Sequence, residues 1–115
     1  MATPTEIKLH QQSRVLEIAF EDGRSFRLPY EYLRVFSPSA EVRGHGPGQE
    51  VLQVGKREVG IQHVEPVGSY AIQPTFSDGH ATGIYSWDYL YQLGLEQEAR
   101  WAGYLKQLEV AGASR

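Results

Sequence analysis

Four histidines, His10, His45, His63 and His80, are the side chains of this sequence best suited to chemistry. His63 and Glu65 form a His-Val-Glu triplet, and on a strand residues two apart point the same way. Two histidines and a carboxylate are the ligand set of non-haem iron(II) sites, so His63 and Glu65 with either His45 or His80 make the sharpest metal hypothesis. The plain alternative is a pair of surface strand residues. His45 lies among glycines, in Gly44-His45-Gly46-Pro47-Gly48, which would let it move toward a ligand. His80 follows the turn pair Asp78-Gly79 and is expected at the rim of the core.

Other chemistries find less material. The chain has no cysteine, which removes disulfides, thiolate catalysis, iron–sulfur ligation and every cysteine-bearing zinc site. Ser37 or Ser39 with a histidine and an acid would suit acyl transfer, but Ser37-Pro38-Ser39 lacks the strand–turn–helix setting that exposes a nucleophile. Capping or turn formation fits it better. The glycine-rich stretch after Arg43 has no following lysine and no strand-to-helix context, so it is not a phosphate loop. Tyr85, Trp87, Tyr89 and Tyr91 read as core and rim packing rather than a cage for a cation. A formal charge of −3 with scattered Lys and Arg offers no stripe for phosphates, so nucleic acid is not an expected partner. Apolar runs are too short to span a bilayer, and the first residues carry no secretory pattern. A cytoplasmic location without membrane contact is expected.

Positioning these residues falls to short strands and helices. Ile7 and Leu9 suggest a first strand, and Val15 to Phe20 a stronger second one, followed by Glu21-Asp22-Gly23 and the alternating run to Leu28. A two-residue Asp-Gly turn would set Leu16, Ile18 and Phe20 against polar residues. A three-residue loop pairs Phe20 with Arg24, Ile18 with Phe26 and Leu16 with Leu28, and gives one apolar face. Phe76-Ser77-Asp78-Gly79, then Ile84 and Trp87 to Leu90, repeats this plan. The same register sets His80 across from Phe76, with Ile72 and Ile84 further along the same face. Ser37 to Glu50 holds three glycines and two prolines in fourteen residues and reads as a functional or mobile loop. Val51 to Val54 and Glu58 to Val67 supply one or two more strands.

Ser86 is placed to cap a helix beginning at Trp87 and pausing at Gly94. Trp101, Tyr104, Leu105 and Leu108 form the apolar stripe of a C-terminal helix that should cover the sheet and stop at Gly112. The expectation is a single α+β domain over 1–115. An antiparallel sheet of about five to seven strands, built from two similar hairpin–helix units, is packed by the C-terminal helix, and 112–115 is a frayed tail.

The combination of Phe20-Glu21-Asp22-Gly23, Leu33-Arg34, Ser37-Pro38-Ser39-Ala40-Glu41, Gly44-His45, Val67-Gly68 with Tyr70-Ala71, Asp78-Gly79-His80 and Gly83-Ile84-Tyr85-Ser86-Trp87 resembles the gamma-butyrobetaine-hydroxylase-like N-terminal domain, in its short bacterial form. The resemblance implies a small α+β module. In the carnitine-pathway dioxygenases it precedes the catalytic domain and holds a structural zinc through three cysteines, after a Leu-Arg pair, and the histidine of an Asp-Gly-His motif. His80 matches that histidine, but Ser37 to Ala40 stand where the cysteines would be. Similar modules fused to iron–sulfur ATPases imply a link to iron metabolism.

The expected function is therefore a non-enzymatic accessory module without a cofactor. It would offer Ser37, Ser39, Glu41, Arg43, His45 and Trp87 to a protein partner or small ligand. The rival is an iron- or zinc-binding protein using His45 and His80 with His63 or Glu41. Oligomeric state is left open.

Overall fold

A computed structural model describes residues 2–44 and 48–115. The described residues form six strands and four helices. Strands β1 (Pro4–His10), β2 (Val15–Phe20) and β3 (Ser25–Pro29) make one antiparallel sheet in that order; β4 (Ile61–Val67), β5 (Ala71–Phe76) and β6 (Tyr85–Ser86) make another. Helices α1 (Tyr30–Val35) and α2 (Ala40–Arg43) lie between the sheets in sequence, and α3 (Trp87–Leu95) and α4 (Gln97–Ala111) follow β6.

Two three-stranded sheets replace the single larger one expected. Each hairpin runs directly into a helix, so β3 has α1 and α3 beside it in place of another strand. The sheets unite through side chains instead: Leu16, Ile18 and Leu28 of the first share one core with Ile61, Phe76 and Tyr85 of the second. Val51 to Val54, expected to add a strand, is irregular, with Val51 and Val54 outward and Gln53 buried. No described helix is long and apolar enough to cross a membrane.

Both hairpin tips follow the three-residue register. Leu16 pairs with Leu28 and Ile18 with Phe26, and the amide of Phe20 donates to Arg24 O at 2.8 Å. In the second unit the Phe76 amide donates to His80 O at 2.9 Å. Gly23 and Gly79 adopt φ of 91° and 90°, a region glycine enters without steric cost.

The repeat then fails. Ile72 pairs with Tyr85, not Ile84, and of residues 81–86 only Tyr85 and Ser86 pair with β5. Alternation directs the backbone of residue 74 to the same side as that of Phe76, where its N–H would bond residue 82, but Pro74 has none to give. The ladder lapses, one extra residue is accommodated, Tyr85 becomes buried and Ile84 turns outward.

The Ser86 hydroxyl accepts the Tyr89 amide at 3.1 Å and caps α3 as expected. That helix runs through Gly94 to Leu95. In α4 only Tyr104 and Leu108 of the apolar stripe are buried, packed with Val35 at the end of α1; Leu105 is 40% exposed. Helix α4 thus covers the end of α1 and the irregular 51–54 segment rather than a sheet face. Gly112 ends it with a φ of 65°. The expected frayed tail is docked: Arg115 donates to both carboxylate oxygens of Glu31, at 3.1 and 2.7 Å, and lies over the Trp101 ring.

Candidate functional site

His80 sits just past the tip of the β5 hairpin, where the lapse of the ladder carries residues 81–84 toward the loop between α1 and α2. Its side chain is 3% exposed. Nε2 lies 2.8 Å from Ser37 Oγ and Nδ1 lies 2.9 Å from Glu41 Oε2. A carboxylate only accepts, so Nδ1 carries the proton it donates to Glu41; in the neutral ring Nε2 then accepts from the Ser37 hydroxyl. Ser39 caps α2, its Oγ taking the Glu41 amide at 3.2 Å, and also meets Thr82 Oγ1 at 2.6 Å. Gly83 closes over the site so tightly that a Cβ there would stand 2.5 Å from Ser37 Oγ.

A charged lattice backs the ring. Arg34, 7% exposed, donates from Nε to Asp78 at 2.9 Å and from Nη1 to Gln53 at 3.0 Å, and Lys56 reaches the same Asp78 oxygen at 2.6 Å. Burial pushes the Asp78 carboxyl up, but Lys56, the His80 amide and Arg34 together outweigh it and hold its pKa at about 2. Burial, aided by the Arg34 charge, pushes the His80 pKa below its ordinary value despite Glu41 and Asp78. The ring is thereby kept neutral. Among the described residues no buried side-chain polar atom lacks a partner.

Of the residues singled out in the sequence, the structure brings together His80, Ser37, Ser39 and Glu41. His63 and Glu65 share one exposed face of β4, 3.5 Å apart, and His63 also meets Thr75 Oγ1 at 3.4 Å. They do not join His80, and among the described residues no three His, Asp or Glu side chains converge as metal ligands. His45 falls outside the described residues. Ser37 and Ser39, expected to face a partner, are buried at 0% and 6% exposure because their hydroxyls serve the cluster. Glu41 and Arg43 are exposed, and Trp87 is half-buried with its indole N–H donated to Ser69 O at 2.8 Å. Arg34, Gln53, Lys56 and Asp78 were not expected as site residues, although Arg34 and Asp78 belong to the motifs Leu33-Arg34 and Asp78-Gly79-His80. A lone arginine within the otherwise apolar stretch Leu33-Arg34-Val35-Phe36 was the signal that could have found the first of them.

The zinc implied by the resemblance does not fit these residues. Hydroxyls stand in the cysteine region, thiolates are absent, and a hydroxyl is far too poor a ligand to replace one. The order Glu41–His80–Ser37 reproduces the carboxylate–imidazole–hydroxyl chain that activates serine nucleophiles. Ser37 has no exposed surface, however, and a substrate carbonyl could not approach it.

Comparison with known proteins agrees with this architecture. The family model for gamma-butyrobetaine hydroxylase-like N-terminal domains matches residues 7–91. A relative solved as an NMR solution structure is 49% identical, with a TM-score of 0.86, covering 100% of this chain and 90% of its own. A crystal structure of a protein of unknown function from Acidithiobacillus ferrooxidans, described as belonging to the DUF971 family, is 42% identical with a TM-score of 0.68, over 80% of this chain and 92% of that one. No curated protein matches. This chain belongs to the gamma-butyrobetaine hydroxylase-like N-terminal domain family.

Proposed function

We propose that this protein is a non-enzymatic accessory module of the cytoplasm, in which the family's histidine has become a structural clasp and the work is done by binding a protein partner or small ligand. One observation carries the reading: both ring nitrogens of His80 are engaged inside the protein, by Ser37 and Glu41. A metal could take either nitrogen only by breaking one of those bonds. The burial of Ser37 argues against acyl chemistry in the same way, since a nucleophile must be reached.

A rival reading has its own support. Glu41 and His80 stand side by side, and an imidazole with a carboxylate is the beginning of an iron or zinc site. Metal analysis of protein purified without a histidine tag separates the two. The accessory reading expects folded protein with far less than one metal per chain. Stoichiometric iron or zinc that disappears in both His80→Ala and Glu41→Gln would establish the rival instead.

A further inference from the structure

Beside α2 lies a cleft of about 500 Å³ that borders the clasp at Ser37 but takes in neither His80 nor Glu41. Its size falls within the range of small-ligand sites, roughly 300 to 1,000 Å³. Phe36, Val42, Val51, Leu52, Tyr89 and Tyr104 give it apolar walls. Two guanidinium groups enter from separate helices. Arg43 lies 5.9 Å from the centre of the Tyr89 ring, and Arg100 lies 5.5 Å from that of Phe36. The Tyr89 hydroxyl donates to Phe36 O, so the two rings, and with them the two cations, belong to one wall. Although burial pushes the Tyr89 phenol up, Arg43 and Arg100 both pull it down, which marks their shared reach.

We propose that this cleft binds a small organic acid, a planar carboxylate carried on an aliphatic or aromatic body. The inference rests on reading the chain as a binding module and gives that module a ligand class. Charge complementarity selects the head group: Arg43 and Arg100 line the cleft against one exposed carboxylate, Glu50. Arg100 is shared with Glu96 at 2.8 Å, whereas Arg43 takes part in no ion pair among the described residues. Arg43 lies over the edge of the Tyr89 ring and leans on its hydroxyl, and a guanidinium has five N–H donors in a planar fork, enough to meet a carboxylate as well. The apolar side chains among the lining would hold the body, a contact that inorganic phosphate cannot make. Val51, 53% exposed at the mouth, is the apolar surface such a body would cover.

The test is an amide-resolved NMR titration of the full chain with 3-phenylpropionate and hexanoate, against 3-phenylpropanol, inorganic phosphate and a short peptide ending in Phe with a free carboxylate. Saturable shifts at Val42, Val51, Leu52 and Tyr89 are expected with the acids, weakened about tenfold in Arg43→Gln, an exposed position where folding is not at risk. Equal binding of the alcohol, equal shifts with phosphate, tighter binding of the peptide, or no saturable shift with either acid would each overturn the proposal. Metal content, measured separately, tests the accessory reading, so the two can fail independently.

Discussion

The imidazole of His80 and the hydroxyl of Ser37 meet at 2.8 Å across 43 residues of sequence, joining the tip of the second hairpin to the loop that leaves α1. Three features of the chain make the meeting possible. Pro74 stops the β5 ladder and frees residues 81–84, Gly83 leaves room for the serine, and Ser39 starts α2 so that Glu41 reaches the other ring nitrogen. Where the resemblance implies a metal as the tie, this chain uses hydrogen bonds.

Removing the serine hydroxyl leaves His80 Nε2 buried without a donor. Ser37→Ala is expected to lower unfolding stability by about 1–3 kcal/mol, the cost of one unsatisfied buried polar atom. Urea denaturation measures it. A loss below about 0.5 kcal/mol, within the range of an ordinary surface change, would show that the bond does not hold the two elements together.

The depressed pKa of His80 fixes the sign of a pH effect. Above the ordinary histidine value of about 6.5 the ring is neutral in both folded and unfolded chains. As pH falls below it, the unfolded chain takes up the proton first, so stability declines until pH passes the folded pKa. The urea midpoint should therefore drop from about pH 7 to pH 5, and the His80 contribution to that slope should vanish in His80→Gln. An NMR titration placing the His80 pKa above 6.5 would reverse the argument.

A second, more acidic window belongs to Asp78. With its pKa held at about 2, the carboxylate contributes stability that is present above about pH 4 and lost as pH falls toward 2. The shift corresponds to about 2 kcal/mol. Asp78→Asn removes it and leaves Arg34 buried beside a neutral amide, so the variant should already be destabilised at neutral pH and should show a flatter acid limb. An unchanged acid limb would mean that Lys56 and Arg34 do not favour the ionised form.

Local physics was legible in the sequence where one residue decides between few alternatives. The first hairpin register followed from the apolar face of Leu16, Ile18 and Phe20, and the Ser86 cap from its position before Trp87. Non-local outcomes were not. That Ser37 and Ser39 face inward depends on Thr82 and His80 arriving from a distant hairpin. The slip that buries Tyr85 in place of Ile84 depends on a missing N–H in the opposite strand. Arg115 looked free because its partner Glu31 lies 84 residues away. Gly94 read as the pause between two helices, and the break falls two residues on, at Glu96 between α3 and α4.

The reason for that glycine gives the last prediction. A Cβ at Gly94 would stand 2.3 to 2.6 Å from three atoms of the Phe26 ring, which packs directly on α3. Alanine is favoured over glycine by about 1 kcal/mol in a helix interior, and by no more than that in the last turn of α3, where Gly94 lies. Forcing a methyl against a ring that is itself edge-on to Phe20 and Tyr91 costs about 1–3 kcal/mol. The second effect is larger, so Gly94→Ala should destabilise the protein, and combining it with Phe26→Leu should recover part of the loss as a coupling between the two sites. Thermal and urea unfolding of the two single variants and the double variant complete the cycle. A Gly94→Ala protein as stable as its parent would show that glycine is not required by the ring, and that helix preference governs the position.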